Sequence, residues 1–271
     1  MTQPAIAIEF DCVSRDFVTP DGRTYRAIDE VSMSIPAGAF VALVGPSGCG
    51  KSTLLNIAAG LLTPTSGRVR IEGQDLAGLN RQATYMFQQD ALLPWKNVRD
   101  NVALGLLLTS SSRVDAHARA VEWLARVGLS RFAAHYPSQL SGGMRKRVAM
   151  AQNWILNRRQ LLMDEPFSAL DVHTRQLMEA ELLSLWDSAD RRTILFVTHD
   201  LEEAIALADE VIVLSAGPAS RVVSRQAVSI PRPRDLLELR TSEAFLDLYR
   251  TIWRVLRGEV IRSQRAEARP A

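Results

Sequence analysis

The first part of the chain alternates short apolar runs with turn residues. The runs are Ile6–Phe10, Val31–Ile35, Phe40–Val44 and Gly67–Ile71. In the second run every other residue is apolar, which is the period of a strand with one buried face. The third run is apolar throughout, as expected for a strand buried on both faces. This part of the chain is therefore predicted to be rich in β-structure.

Between Asn97 and Asn157 the period lengthens to that of a helix. Apolar residues recur three or four positions apart, on one helical face, in three stretches. The three sets are Val98, Val102 and Leu106; Ala118, Val121, Leu124 and Val127; and Val148, Ala151 and Ile155. The spacing predicts a helical subdomain inserted at about residues 89–159.

Strands and helices alternate after the insertion. The predicted strands are Leu161–Met163, Thr193–Val197 and Val211–Leu214, and the predicted helices lie around Leu177–Leu185 and Glu203–Leu207. Such alternation is typical of a largely parallel sheet covered on both faces. The predicted fold class is therefore α/β, with a main domain over residues 1–229.

The pattern changes again over residues 230–271, where the strand and helix alternation of the main domain stops. The proline- and arginine-rich run Ile230–Arg234 predicts a linker. Four apolar residues beyond it fall on one side of a helix, namely Phe245, Leu248, Ile252 and Val255. The same extension carries Arg250, Arg254, Arg257, Arg262, Arg265 and Arg269. Such a helix could dock a regulator, contact anionic lipid head groups or simply be solvated.

Composition and charge narrow the class further. The 271 residues carry 32 basic and 30 acidic side chains, a net charge of +2, which gives no electrostatic argument for nucleic acid or a membrane surface. Cys12 and Cys49 are not spaced as zinc ligands, and two cysteines do not suggest a disulfide framework. The start of the chain lacks the pattern of a signal peptide, so we expect an intracellular protein. The uncharged stretch Val31–Gly50 contains prolines and glycines and does not predict a membrane span.

A glycine-rich sequence follows the strand Phe40–Val44. Its letters, GPSGCGKST, fit the pattern G-x-x-x-x-G-K-[ST], and a strand before it and a helix after it are the context that the pattern needs. Glycines let successive N–H groups converge on an anion at the helix start. Lys51 is predicted to reach the outer phosphates of a nucleotide, and Ser52 to bind Mg²⁺; an ordinary turn before a helix is the alternative. The predicted phosphate-binding residues are Gly45, Pro46, Ser47, Gly48, Cys49, Gly50, Lys51, Ser52 and Thr53.

Two carboxylates follow the strand Leu161–Met163. At the carboxyl end of a parallel strand beside the phosphate loop, Asp164 is placed to hold Mg²⁺ and Glu165 to act as general base toward water. In isolation such a pair is also common as a helix cap or a solvated turn. Its combination with the phosphate loop favours nucleotide hydrolysis.

Four more segments resemble the motifs of ATP-binding cassette (ABC) proteins. Phe87 and Gln88 resemble the Q-loop, Leu140–Met144 the LSGGQ signature with Met144 in place of glutamine, Ser168–Asp171 the D-loop and Val197–Asp200 the H-loop. With the phosphate loop and the Asp-Glu pair they follow the order of that family. The resemblance implies a P-loop NTPase cassette, with a largely parallel core, an antiparallel β-subdomain and the inserted α-helical subdomain.

The resemblance also implies roles, with ATP and Mg²⁺ as cofactors. Gln88 would reach Mg²⁺ and the attacking water, and His199 would contact the γ-phosphate. The catalytic set is then Lys51, Gln88, Glu165 and His199. Alone, the histidine would be interpreted as a helix cap. Phe17 stands where the family has an aromatic residue that stacks on adenine, with Tyr25 as the alternative; either could instead pack in the core.

The signature residues Ser141, Gly142 and Gly143 precede a predicted helix, so their N–H groups and the serine hydroxyl form a second anion site. Taken alone, Ser-Gly-Gly is also a common helix cap. One chain then carries two phosphate-binding ends. The resemblance implies a homodimer that sandwiches ATP head to tail between two copies, with Asp171 also near the nucleotide.

Longer stretches, including FQQDALLPW, THDLEEAIALADEVIVLSAGP and IPRPRD, are similar to the nitrate, sulfonate and taurine branch of ABC importers. This implies an ATPase subunit on the cytoplasmic face of the bacterial inner membrane. Its partners would be integral permease subunits and, through them, a periplasmic or extracellular solute-binding protein, with no nucleic acid. The stretch Gln88–Trp95 would meet the permease, although an apolar run such as Leu92–Trp95 is also common as local core or a turn. Met144 and Ala151–Trp154 depart from the pattern of many cassettes.

Two other classes would share the phosphate loop. A soluble ABC ATPase acting on nucleic acid or ribosomes would carry a long coiled coil or a second cassette, and the sequence has neither feature. A P-loop kinase would have no use for Ser141–Gly143 and His199. The first of these is kept as the alternative function.

Overall fold

The computed structural model describes residues 5–109, 111–187 and 191–267. Within these ranges the strands form a larger and a smaller sheet. The strands are β1 (Ile6–Val18), β2 (Thr24–Pro36), β3 (Phe40–Val44), β4 (Ser66–Ile71), β5 (Gln74–Asp75), β6 (Ala83–Met86), β7 (Gln160–Asp164), β8 (Thr193–Val197), β9 (Glu210–Leu214) and β10 (Val222–Ala227). The helices are α1 (Lys51–Ala58), α2 (Val98–Leu108), α3 (Arg113–Arg126), α4 (Gly142–Trp154), α5 (Val172–Trp186), α6 (Leu201–Leu207), α7 (Leu236–Leu239) and α8 (Glu243–Glu267).

The larger sheet has the order β10-β9-β3-β8-β7-β6. The pairs from β9 to β6 are parallel, and β10 is antiparallel to β9. Every residue of β3 and of β8 is buried, because helices cover both faces of this sheet. The carboxyl ends of β3, β8, β7 and β6 therefore meet at one edge, and the loop that follows each strand lies beside the next.

The smaller sheet is antiparallel, with the order β2-β1-β4-β5. Its first two strands have 13 residues each, and the runs Ile6–Phe10 and Val31–Ile35 predict only part of them. The reason is local: the register shifts along the β1–β2 pair, and Cys12 and Glu30 have positive φ. Such irregularities break the two-residue period on which the prediction depends.

Helices α2, α3 and α4 form the insertion between β6 and β7, where the periodicity predicts helices. The face predicted for α3 is partly wrong: Ala118 and Val121 are exposed, and Ala116 and Ala120 are buried with Leu124 instead. Asn97, Ser112 and Ser141 are their N-caps, and each side chain accepts a hydrogen bond from a backbone N–H in the first turn. The three helices pack around an apolar cluster of their own, with Val102, Leu124 and other residues that are fully buried. The helical subdomain therefore has its own core beside the main sheet.

The predicted linker, residues 230–234, runs along α6 and is bound to it. Arg232 donates to Asp209 at 3.0 Å. The half-buried guanidinium of Arg234 donates to three carbonyl oxygens at the end of α6, those of Ile205, Ala206 and Ala208. Partial burial lowers the pKa of Arg234 to about 10, and the negative end of the helix compensates its charge.

Helix α8 continues the same core. Phe245 and Ile252 are buried in the apolar cluster of the main sheet, and Leu248 and Val255 pack against it. The extension therefore shares the core of the main domain. Of its arginines, Arg269 lies outside the described residues. No helix within the described ranges combines the length and the apolar character that a bilayer crossing needs.

Candidate nucleotide site

The phosphate loop connects β3 to α1 with the geometry that the motif predicts. Gly48 and Gly50 have φ of 74° and 87°, which favours glycine. At Gly50 a Cβ atom would lie 2.3 Å from Cδ1 of Ile28, so a side chain has no room there. Lys51 is 6% exposed, and its Nζ donates to the carbonyl oxygens of Gly45 and Pro46 at 2.9 and 3.1 Å. The loop thus holds a buried cation at the start of a helix.

Ser52, the next residue of α1, reaches the end of β7. Its hydroxyl donates to Oδ1 of Asp164 at 2.8 Å, and the Tyr85 hydroxyl lies 3.3 Å from Oδ2. Burial raises the pKa of the Asp164 carboxyl, and these two hydrogen bonds oppose the shift. A hydroxyl and a carboxylate oxygen side by side are ligands that suit Mg²⁺, which takes few protein ligands and completes its shell with phosphates and water.

Glu165 and His199 are in contact at the same edge of the sheet. Glu165 directly follows β7, has a φ of 42°, and donates its backbone N–H to the carbonyl oxygen of Val197 in β8. His199 follows β8, and its Nδ1 lies 2.9 Å from Oε2 of Glu165. The carboxylate is therefore ordered by a ring nitrogen. This is the pair that the sequence predicts as general base and γ-phosphate contact.

Gln88 follows β6 and joins this pair. Its Nε2 donates to the Ser168 hydroxyl at 3.4 Å, and that hydroxyl donates to the carbonyl oxygen of Glu165 at 3.0 Å. Of the predicted catalytic residues, Gln88, Glu165 and His199 thus belong to one hydrogen-bonded group. The order of the strands brings them together.

Hydrogen bonds of the neighbouring residues Thr198 and Asp200 hold the backbone around His199 in place. The Thr198 hydroxyl donates to the carboxyl group of Glu203, and it accepts from the backbone N–H of Asp200 at 3.0 Å. Asp200 caps α6, and Arg175 of α5 donates to its carboxylate at 2.9 Å. Sequence reasoning did not find Glu203 or Arg175, because a glutamate or an arginine on a helix gives no signal of its contacts.

The buried carboxyl group of Glu203 makes the stability of the fold depend on pH. It is 4% exposed, and burial raises the pKa of its carboxyl to about 8. Between the ordinary carboxyl pKa and this value the folded state holds a proton that the unfolded state has released, so stability falls as pH rises. Between pH 6 and pH 8 this loss amounts to about 2 kcal/mol.

We expect Glu203→Gln to remove that part of the pH dependence while keeping the shape of the side chain. Urea unfolding at pH 6 and at pH 8 measures it. The wild-type free energy of unfolding should decrease by about 2 kcal/mol more than that of the variant. Equal slopes for the two proteins would show that Glu203 is already ionised at pH 6.

The signature residues lie at the start of α4, apart from this group. Ser141 accepts from the backbone N–H of Met144 at 3.3 Å, which is the ordinary cap. A Cβ atom on Gly143 would lie 2.7 Å from Cγ2 of Thr174, so the start of α4 packs against the start of α5. Among the described residues, no hydrogen bond joins Ser141, Gly142 or Gly143 to the phosphate loop.

A lysine that the sequence did not single out connects α4 with the Q-loop. Lys146 is 3% exposed, and its Nζ donates to the carbonyl oxygen of Gln88 at 2.7 Å and contacts Asp90 at 3.0 Å. Arg145 contacts the same carboxylate at 3.2 Å. Gln88 is therefore hydrogen-bonded directly to the signature helix.

The remaining predicted residues lie at the borders of the site. Asp171 caps α5 and accepts from the backbone N–H of Thr174 at 3.1 Å, and hydrogen bonding to Thr174 lowers the pKa of its carboxyl. Phe17 and Tyr25 are directly opposed in the β1–β2 pair, so both side chains lie on one face. A Cβ atom on Gly217 would lie 3.3 Å from both the Tyr25 hydroxyl and the carbonyl oxygen of Gly48. Tyr25 thus lies near the phosphate loop.

Comparison with known proteins identifies the family of the chain. The family model described as "ABC transporter" matches residues 28–168. The taurine import ATP-binding protein TauB of Rhizobium johnstonii is 43% identical over 253 residues, which is 92% of this chain and 96% of that protein. The nitrate import ATP-binding protein NrtD of Synechococcus elongatus is 42% identical over 84% of this chain and 83% of its own.

A solved structure has the same fold. The dimeric post-hydrolysis state of the ATP-binding cassette MJ0796, bound to ADP and Pi, superimposes with a TM-score of 0.72 and 32% identity, over 83% of this chain and all of that one. The fold class predicted from the motifs, a cassette with an inserted helical subdomain, is confirmed. Sequence relatives, family model and fold lead to one conclusion: the chain belongs to the ABC transporter family.

Proposed function

We propose that this chain is the ATP-binding and ATP-hydrolysing subunit of a membrane importer, and that it works as a homodimer. The observation that carries the proposal is the 2.9 Å contact between Glu165 and His199, at the edge of the sheet where the phosphate loop begins. A base ordered in this way beside a phosphate site is what hydrolysis of a terminal phosphoryl group requires.

In this proposal each residue of the site has a task. Lys51 and the N–H groups at the start of α1 bind the β- and γ-phosphates. Glu165 orients the attacking water and accepts its proton, while His199 holds the carboxylate and faces the γ-phosphate. Because Gln88 is hydrogen-bonded to this group and to Lys146, it transmits the state of the nucleotide to the helical subdomain.

We propose Ser52, Gln88 and Asp164 as the residues that hold Mg²⁺. Ser52 and Asp164 fit the ion because their oxygens are 2.8 Å apart and burial disfavours an isolated charge on Asp164. When bound, the ion would neutralise charge that develops on the phosphate oxygens. Within the described residues no cluster of three or more His, Cys, Asp or Glu side chains forms an all-protein metal site.

Two anion sites in different parts of the chain support the homodimer. The phosphate loop lies at the end of β3, whereas the signature lies at the start of α4, where Gly143 packs against Thr174 of α5. A second copy, related by a twofold axis, would present its signature to the phosphates of the first. The dimeric cassettes of MJ0796 support this arrangement.

The importer role rests on the relatives and on one exposed residue. TauB and NrtD are named import ATP-binding proteins, so we propose nitrate, taurine, a sulfonate or a related small solute as cargo. Trp95, in the run Leu92–Trp95, is 71% exposed. We propose that it contacts an integral permease on the cytoplasmic face of the inner membrane, in a complex with a periplasmic or extracellular solute-binding protein.

Co-purification tests the importer role. The tagged chain is isolated from detergent-solubilised membranes of its own host, and an integral permease should accompany it. Trp95→Asp should abolish the association without changing the fold. Isolation free of any integral protein, and with ribosomes or nucleic acid instead, would support the alternative of a soluble ABC ATPase.

The position of the adenine partner gives a separate prediction. Stacking of a base on an aromatic side chain contributes about 1–3 kcal/mol, so loss of the stacking ring should weaken ATP binding by about 5- to 150-fold. We expect this loss for Phe17→Ala, as the family resemblance implies, with Tyr25→Ala as the paired variant. Fluorescent-nucleotide titration measures both dissociation constants. A large effect of Tyr25→Ala with none of Phe17→Ala would assign the stacking to Tyr25.

A further inference from the structure

Arg240 of the C-terminal extension lies on the wall of the same cavity as His199, the proposed catalytic histidine. Arg240 lies between α7 and α8, and its side chain is 18% exposed. Its Nη2 donates to Oε2 of Glu179 on α5 at 2.7 Å, and its Nε lies 3.5 Å from Oε2 of Glu202 in the first turn of α6. A single side chain of the extension thus contacts both helices that flank the loop of His199.

The contact with Glu179 is a strong one. Glu179 is fully buried, and burial raises the pKa of its carboxyl while the charge and hydrogen bond of Arg240 oppose the shift. A buried carboxylate that loses its cation is left as an uncompensated charge, which destabilises its surroundings. Arg240 is therefore fixed in place by Glu179, and this gives a rigid base for its contact with α6.

Helix α5 reaches the histidine loop by a second route. Arg175 lies one helical turn before Glu179, on the same face of α5, and donates to Asp200 at 2.9 Å. Asp200 follows His199 and caps α6 by accepting from the backbone N–H groups of Glu202 and Glu203. Arg175 and Arg240 therefore both join α5 to the first turn of α6.

A cavity of about 430 Å³ lies between the extension, α5 and the loop of His199. Arg240, Tyr249 and Trp253 lie on its wall together with His199 and Asp200. The extension thus borders the histidine loop without covering it. Packing of α8 on α6, where Leu201 and Ile252 share one apolar cluster, and the ion pairs of Arg240 both connect the extension to this loop.

We propose that Arg240 is a positioning residue for ATP hydrolysis: by joining Glu179 to Glu202 it fixes the first turn of α6, and with it the ring of His199 against Glu165. The proposal rests on the ATPase function proposed above. It gives the C-terminal extension a role in the chemical step. Misplacement of a catalytic group lowers the rate of that step more than it changes substrate binding.

The test combines kinetics with a spectroscopic signal from the ring. Arg240→Met should lower kcat by roughly tenfold, leave KM for ATP within about twofold, and shift the ring resonance of His199 in the proton spectrum. The resonance is assigned by its absence in His199→Ala. Arg240→Lys should recover only part of the rate, because an ammonium group cannot replace the planar fork of the guanidinium.

Arg262→Met is the matched control, since Arg262 also lies in the extension and also pairs with a buried glutamate, Glu259, at 2.7 Å. It should leave kcat and the His199 resonance unchanged. A lower kcat for Arg240→Met with an unmoved resonance, or a moved resonance with full kcat, would overturn the positioning role.

A double variant separates positioning from stability. Glu179→Met with Arg240→Met replaces the buried ion pair by apolar side chains, so folding should recover, while kcat should stay roughly tenfold low because Glu202 has lost its cation. Full kcat in the double variant would mean that Arg240 only neutralises Glu179. If the wild-type chain released no phosphate from ATP, the ATPase proposal would fail, and the resonance would still report the contact.

Discussion

Replacement of Glu165 by glutamine is expected to lower the rate of ATP hydrolysis by about 10³-fold and to leave ATP binding intact. Glutamine keeps the size of the side chain and can still meet Nδ1 of His199, which lies 2.9 Å from the carboxylate. An amide cannot accept a proton from water, however. The variant should therefore stop at the state in which ATP is bound between two copies.

Phosphate release at saturating ATP and gel filtration with and without ATP measure the two effects. The variant should elute as a dimer with ATP and as a monomer without it, because only hydrolysis reopens the dimer. Glu122→Gln, an exposed change on α3, is the control and should behave as wild type. A Glu165→Gln protein that stays monomeric with ATP and turns over normally would refute both the base and the dimer.

Two inactive variants are expected to restore activity when they are mixed. Lys51→Ala disables the phosphate loop and Ser141→Arg blocks the signature, and each alone should lose about 10²-fold or more in turnover. In a mixed dimer one site combines the intact phosphate loop of one copy with the intact signature of the other. With random pairing, about a quarter of the wild-type activity should return.

The control for this experiment comes from a second capping serine. Ser112 caps α3 as Ser141 caps α4, so Ser112→Arg removes the same kind of helix cap away from the nucleotide. It should stay active alone. If the mixture of Lys51→Ala and Ser141→Arg remained as inactive as its components at every ratio, each site would belong to a single chain.

Several features could be predicted from sequence because their signals are local. The phosphate loop needs its glycines and lysine in consecutive positions, and the Asp-Glu pair needs to follow a buried strand directly. The helical insertion could be located because its period differs from that of the strands around it. In each case a few neighbouring residues contain the whole requirement.

Strands without such a signal were missed. β6 has four residues and β10 lies at the edge of the sheet with only alternate half-buried positions, so neither has a long apolar run. β6 pairs with β7, which is distant in sequence, and β10 pairs with β9, a buried apolar strand that could be predicted without its partner. Pairing decides such strands, and pairing is a property of the folded chain.

The sequence by itself determined the fold class, the order of the motifs and the chemical type of each site residue, because each depends on residues that are close together in the chain. Only the tertiary structure decided which residues support them. Three sets of hydrogen bonds and ion pairs join parts of the site to other elements. They connect Lys146 with Gln88, Glu203 with Thr198, and Arg240 with Glu179 and Glu202. Contacts of this kind arise where the order of the strands and the packing of the helices place distant side chains together, and no spacing along the chain encodes them.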